Sequence, residues 1–505
     1  MRLVSRVAAG LALGALLAGC GTTVPLTQQV AGDGGLGGSS STGATAAGAG
    51  STTGSGTAGS ALPGSTSGSA GSGGTGSVDG GTPNDAGATG ATSTSGATAT
   101  TGKGVGSQPP IQIGTYYLNG GNAALAAAGF GGLVIPDSKP VFDAFVRYTN
   151  AHGGLAGRRI EPVYYEYNEG ADPHGQDAAA CSTFTQDHHV FLVLGGVNSG
   201  AGDLLPCLAQ HGVPLISAAT GGDAKFFAKY HRFAYEPGQL NFTAGLTLLV
   251  RDLKAQGFLS GVKKVGLVQY PGQVYDNAVN DGLIPALAEV GLKLNDRVTT
   301  GSSTDNGSIA TSTTSAELKF KTDRIDLVLF MTPGGAAETY FMTDANQQAY
   351  SPKYGIWSAD SPTILATTAP HNQLANGRGV GYLPGLDVAT GQDPTATTPE
   401  AKKCLALGKS MGLDESGLGN PLIRTMCDVM AVVLGAVDGN PAVTRSAALF
   451  EQGVNALGTS IVPSSTFGMR WEPGHHDAVD GYRRLAFDSG CGCFAYNGPT
   501  RRIPR

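Results

Sequence analysis

The stretch Asn150-Ala151-His152-Gly153-Gly154-Leu155-Ala156-Gly157-Arg158 decides the reading of this chain. Residues 140–152 before and within it place Phe142, Phe145 and Val146 on one helical face. Residues 159–167 after it read as a strand. Consecutive glycines permit positive φ at a helix end, so the chain can reverse sharply into that strand. The nine residues are therefore a helix-to-strand turn, and their role is structural.

Working outward, residues 111–117 (IQIGTYY) form a short apolar strand directly after Pro109-Pro110. On the other side come a helix over 173–187, a buried strand over 190–194, a short helix over 201–211 and a strand over 213–217. This βαβαβα order predicts a parallel sheet with helices on both faces. The pattern restarts with helix 239–256, strand 264–269, helix 275–290, helix 309–321 and strand 325–331, then a helix-like stretch over 335–349 and a strand over 354–357. Two successive α/β units predict two Rossmann-like lobes with parallel-rich sheets. Such sheets bind ligands at the C-terminal ends of their strands, and two lobes leave a natural cleft between them.

The folded part occupies residues 111–505 of the 505-residue chain. Between residues 31 and 100, 61 of 70 positions are Gly, Ser, Thr or Ala, and the first aromatic residue is Tyr116. A segment so poor in large apolar side chains cannot offset its ordering entropy, so residues 20–110 are expected to be a disordered tether. Arg2 and Arg6 precede an apolar run over 7–18 that ends in Gly19-Cys20, the pattern of an export signal over residues 1–19. Leu17-Ala18-Gly19-Cys20 resembles the bacterial lipobox, which implies a lipid on Cys20 and anchoring of the exported protein at the cell membrane. The net charge of −6 argues against nucleic acid as a partner.

Six further cysteines, Cys181, Cys207, Cys404, Cys427, Cys491 and Cys493, suit disulfides in an oxidising compartment. Their spacing favours local pairs, 181–207, 404–427 and 491–493, among the 15 pairings that six cysteines allow. A metal site is a poor alternative, because the CxC at 491–493 lacks a nearby second ligand pair.

Several motifs together resemble the type I periplasmic binding proteins, and within them the branched-chain amino-acid (Leu/Ile/Val) binding group. Residues 150–158 are similar to that group's N-x-x-G-G-I-x-G turn, and Asn168–Pro173 to its D-x-x-x-D-P helix entry. Leu215-Ile216-Ser217-Ala218-Ala219-Thr220 is similar to its ISPAAT loop, and Gln273-Val274-Tyr275 to a segment that opens a second-lobe helix. Cys181 and Cys207 sit where the group often carries a disulfide. The resemblance implies two lobes, 111–235 with about 385–470 and 236–384 with about 471–505, joined by a three-strand hinge. Crossings are expected near 233–237, near 381–387 and once more late in the chain.

The resemblance also implies a ligand set. Asn198, Ser199, Ala219 and Thr220, in loops after the third and fourth strands, would supply hydroxyl and backbone N–H groups to a ligand carboxylate. Tyr275 and Thr332 would reach the ligand from the second lobe, and Asp360 would pair with a ligand amine. The alternative for Ser199, Thr220 and Asp360 is helix capping, and for Tyr275 a place in the core. The chain departs from the group in lacking the loop proline, in carrying Asp276 where the group has Gly, and in a Gly/Ala-rich insertion at 120–132.

No catalytic constellation stands beside this. Gly408-Lys409-Ser410 mimics the end of a P-loop, but position 403 is Lys where Gly is required. The expectation is a non-enzymatic, monomeric, lipid-anchored solute-binding component of an ABC-type importer. It would take a small polar ligand (amino acid, amide or related carboxylate), use no cofactor or metal, and deliver the ligand to a membrane permease. The other expectation is a sensor or scaffold module of the cell envelope, uncoupled from transport.

Overall fold

The computed structural model describes residues 108–119, 122, 134, 136–168, 171–195, 202–217, 221–301 and 305–504. These residues lie in one compact unit, Ser95–Arg505. The expected signal, Cys20, nearly all of the tether and most of the insertion at 120–132 fall outside the described residues.

Five strands build the first sheet: β1 (Ile111–Asn119), β2 (Ile160–Asn168), β3 (Leu192–Gly195), β4 (Leu215–Ser217) and β5 (Ala234–Tyr235). They lie in the order β2-β1-β3-β4-β5, and every pair is parallel. The order reverses between β1 and β3, which makes the loops after those strands the switch point where doubly wound sheets bind ligands. Helices Ser138–Ala151, Pro173–Ser182, Leu204–Gln210 and Ala224–Lys229 connect them in turn. The Gly153-Gly154 turn has the expected geometry. Gly154 sits at φ +69°, and a Cβ there would lie 2.0 Å from the Arg158 carbonyl oxygen. Asn150 ties helix to strand by accepting from Ile160 N–H (2.7 Å) and donating to Ile160 O (2.9 Å).

The second sheet holds β6 (Val265–Gln269), β7 (Leu294–Thr299), β8 (Leu327–Met331), β9 (Lys353–Trp357), β10 (Gly377–Gly381), β11 (Gly481–Asp488) and β12 (Cys493–Arg502). Its order is β12-β11-β10-β9-β8-β6-β7, parallel from β7 to β10 and antiparallel from β10 to β12. Alternate residues feed opposite faces. Leu327, Leu329 and Met331 enter one core, and Val328 and Phe330 enter the other. The period of two explains why such fully buried strands read as continuous apolar runs. β7 and β10 escaped the sequence reading because LNDRVT is a polar strand at the sheet edge and GRGVG has no apolar run. The glycine at 379 is a steric demand, since a Cβ there would lie 1.5 Å from the Ile356 carbonyl oxygen. The helix expected over 275–290 is present but widens to a π-turn over Val279–Leu283.

The core beneath the first sheet is completed by chain from far downstream. Helices Gly419–Val437 and Ala447–Leu457 pack Ile423, Val433, Phe450 and Val454 against Ile113, Phe142 and Leu194. Helix Gly419–Val437 is long and apolar enough by composition to cross a membrane, but it is mostly buried in this core. Its Arg424 is only 1% exposed and pairs with Asp393. Trp471 and Ala478 also belong to this core.

The chain therefore crosses between the two sheets three times. It leaves the first after Tyr235, leaves the second after Gly381, and re-enters the second at Gly481. The first and third crossings are paired: Glu236 N–H donates to His476 O (2.7 Å) and Ala478 N–H to Glu236 O (2.8 Å). The fold is thus two α/β lobes joined by a three-segment hinge, as the sequence implied. Disulfides join Cys181 to Cys207, Cys404 to Cys427 and Cys491 to Cys493. His211 lies beside the first pair, but both sulfurs are committed to the disulfide, which leaves no thiolate for a metal.

Candidate functional site

Of the expected ligand residues, Asn198, Ser199, Ala219 and Thr220 lie outside the described residues. The strand ends that carry those loops are described, and they are tightly packed. A Cβ at Gly195 would lie 2.5 Å from the Tyr116 hydroxyl and 2.8 Å from Ser217 Oγ. Gly195 therefore lets a phenol and a hydroxyl approach each other at the C-terminal edge of the first sheet.

On the second lobe, Tyr275 follows Gly272, whose φ of +134° turns the chain into the helix. Its half-buried ring stacks on Phe242 (centroids 5.9 Å apart, 18° between planes) and meets Tyr270 edge-on at 5.9 Å. Burial raises the Tyr275 hydroxyl above the ordinary tyrosine value. Phe242 opens the helix that follows the first crossing, and its N–H donates to Gly222 O at 2.8 Å. The neighbouring Asp276, where the related group carries Gly, has a partner of its own. It accepts from Gln269 Nε2 (2.9 Å) and from Arg297 Nη2 (2.5 Å), bracing β6 against β7. Asp276 is thus a structural substitution beside Tyr275.

Thr332 and Asp360 are brought together, deep inside the lobe. Both are fully buried. Thr332 Oγ1 donates to Glu338 Oε1 at 2.7 Å, and Asp360 Oδ2 accepts the Trp357 N–H at 3.0 Å. The Asp360 and Glu338 carboxyls face each other. Desolvation pushes both above the usual carboxylate range, and the Glu338 carboxyl pushes Asp360 further in that direction. Glu338 escaped the sequence reading because a glutamate in a first helical turn is an ordinary feature.

A third buried carboxyl sits at the middle crossing. Asp387 Oδ2 accepts from Ser358 Oγ (2.9 Å), Leu383 N–H (2.9 Å) and the Tyr496 hydroxyl (2.5 Å). Desolvation pushes Asp387 up to about 7 despite these donors. Tyr382 lies beside it within the field of Asp387, Glu236, Asp360 and Asp477, and burial plus these charges hold its proton in place. The lobes also touch directly: Lys225 of the first lobe pairs with Asp281 of the second at 2.7 Å, and Val274 packs on apolar residues of both.

The chain thus has two parallel-rich lobes and a three-segment hinge. The sequence model of the periplasmic binding proteins matches residues 123–405, more than half of the chain. The chain belongs to the periplasmic binding protein family. Members of this family bind solutes outside the cytoplasm and are not enzymes, so an exported place for the chain follows from its membership.

Solved structures with the same fold include an ABC-transporter substrate-binding protein from Aeropyrum pernix, at 13% identity and TM-score 0.61, covering 79% of this chain and 97% of that one. A branched-chain amino-acid transporter protein from Thermus thermophilus, solved with bound valine, matches at 13% identity and TM-score 0.57, covering 78% and 97%. A solute-binding protein from Rhodopseudomonas palustris, in complex with 4-hydroxybenzoate, matches at 13% identity and TM-score 0.57, covering 79% and 98%. Among curated protein sequences none matches.

Proposed function

We propose that this periplasmic binding protein is the substrate-binding component of an ABC-type importer, held at the membrane by a lipid on Cys20. It acts as a monomer, closes its lobes about the three crossings, and presents a small carboxylate-bearing solute to the permease. The observation that carries this reading is the half-buried Tyr275–Phe242 stack beside the first crossing, whose Phe242 ring packs against Gly221 downstream of β4. An aromatic wall on one side and strand-end loops on the other suit a ligand with an apolar body and an anionic head. The loops with Asn198, Ser199, Ala219 and Thr220 would hold that head, and Tyr275 would cover the body. Relatives of the same fold bound to valine and to 4-hydroxybenzoate support a carboxylate.

A thermal-shift screen against amino acids, amides and short or aromatic carboxylates tests the reading. A ligand at 100 times its dissociation constant stabilises by about 2.7 kcal/mol. A panel in which no compound raises Tm would count against solute binding.

A further inference from the structure

We propose that the Cys491–Cys493 bridge is a thiol–disulfide exchange site that oxidises dithiols of other exported proteins. The inference stands apart from solute binding and does not depend on it.

This bridge differs from the other two in what it holds together. Cys181–Cys207 and Cys404–Cys427 span 26 and 23 residues and tie one helix to another. Closing such loops restricts the unfolded chain, which is how a structural disulfide stabilises. Cys491 and Cys493 enclose only Gly492, and a loop that short removes little freedom. The hairpin is already closed without it. β11 and β12 pair from Gly481 opposite Arg502 to Asp488 opposite Cys493, and Asp488 Oδ1 accepts the Gly490 N–H at 2.8 Å within the turn. Phe487 and Phe494 meet edge to face at 5.5 Å behind it. Reduction therefore leaves the backbone in place.

What the bridge offers is access. Cys491 is exposed, Cys493 is only 9% exposed, and the four cysteines of the other bridges are buried or half-buried. Exposed disulfides are the labile and catalytic ones, and shielded ones are structural. The loop is also held in shape by its surroundings. Gly492 sits at φ +64°, where a Cβ would lie 2.9 Å from His371 Cε1, so the position between the cysteines takes glycine. The His371 ring is fixed by Nε2–H donating to Ala366 O at 3.0 Å and by packing on Phe487 at 5.1 Å. The two sulfurs thus stay adjacent after reduction, ready to close again. β11 runs antiparallel to β10 with Ala486 opposite Arg378, so the hairpin tip lies beyond the start of β10. Sheets of this kind bind ligands at the opposite edge, which keeps exchange separate from solute binding.

The exposure difference sets the direction of attack. A substrate thiolate attacks Cys491 Sγ, forming a substrate–Cys491 disulfide. The Cys491–Cys493 bond breaks, and its electron pair leaves on Cys493 Sγ, which takes a proton. The second substrate thiolate then attacks its own bridged sulfur and releases Cys491 as a thiol. The substrate loses two electrons and two protons, and the cysteine pair gains both. A small-molecule disulfide resets the pair by the same exchange in reverse, its two sulfurs leaving as thiols.

The test mixes the oxidised full chain with a peptide carrying a Cys-Gly-Gly-Cys dithiol and follows peptide oxidation by mass spectrometry. The wild type should oxidise one equivalent of peptide at least about tenfold faster than Cys491→Ser/Cys493→Ser. The double variant should keep its Tm within about 2 °C of the wild type, as a loop this short implies. A second measurement needs no variant. Under limiting dithiothreitol, alkylation should mark Cys491 and Cys493 while the other four cysteines stay bridged. Equal peptide oxidation by wild type and double variant overturns the inference. So does a larger loss of Tm, which would make the bridge structural, or opening of all three bridges together.

Discussion

Among the expected ligand residues that the structure describes, Tyr275 is the one whose side chain is only partly buried, with one face already on Phe242. A ring held in this way loses little freedom on contact, so its binding contribution should be large. Replacing Tyr275 by Ala should weaken the tightest ligand of the screen about tenfold, near the upper end of aromatic-pair energies. Titration calorimetry reads this directly, and unchanged affinity would remove Tyr275 from the site. The side chain was legible in the sequence through the resemblance of Gln273-Val274-Tyr275 to a segment that opens a second-lobe helix. Phe242 beneath it was not, because it sits in an ordinary amphipathic helix and only the fold brings it to Tyr275. The same holds for Thr332 and Asp360. Their position at strand ends was legible, but their partner Glu338 became visible only when the loops after β8 and β9 came together.

Helix Gly419–Val437 shows how an element's composition and its role can diverge. Its apolar length suits a membrane, yet it carries Arg424 and Asp428 on buried positions. Both are matched by a loop that arrives from elsewhere. Arg424 pairs with Asp393 and Thr395 and donates Nε–H to Ser464 O at 2.6 Å. Asp428 accepts the N–H groups of Ser464 (2.7 Å) and Ser465 (2.9 Å) and both of their hydroxyls. Arg424→Met would leave Asp393 buried without its cation and should destabilise the protein by about 3–5 kcal/mol. Urea unfolding followed by circular dichroism measures the loss. The double variant Arg424→Met/Asp393→Leu should recover much of it, because the unpaired charge is then gone. The sequence reading stopped short of this helix because a 19-residue apolar segment has no partner until the first sheet lies beside it.

At the scale of the whole molecule, the lobes depend on buried acids at their crossings. Asp387, up to about 7 in the fold against an ordinary value near 4, holds a proton that the unfolded chain releases. Its contribution is therefore fully present below about pH 4 and is lost as pH rises through about 7. Asp428 is raised in the same direction, by desolvation. Exposed carboxylates such as Glu289 and Asp323 are lowered and act in the opposite sense, but solvent screens them. Denaturant unfolding should show higher stability near pH 5.5 than near pH 8, with the slope between them reduced in Asp387→Asn. A flat profile in the wild type would contradict the burial argument. By itself the sequence determined what depends on local pattern. The Asn150–Arg158 turn, the alternation of helix and strand and the two-lobed class follow from glycine stereochemistry and from apolar periodicities of 3.6 and 2. The disulfide partners were favoured by short separations. Only the tertiary structure decided the rest. It built the second sheet's glycine-rich and polar strands, packed the downstream helices under the first sheet, and joined Glu338 to Asp360. Those features arise between residues distant in the chain, where steric fit and desolvation act and no local pattern records them.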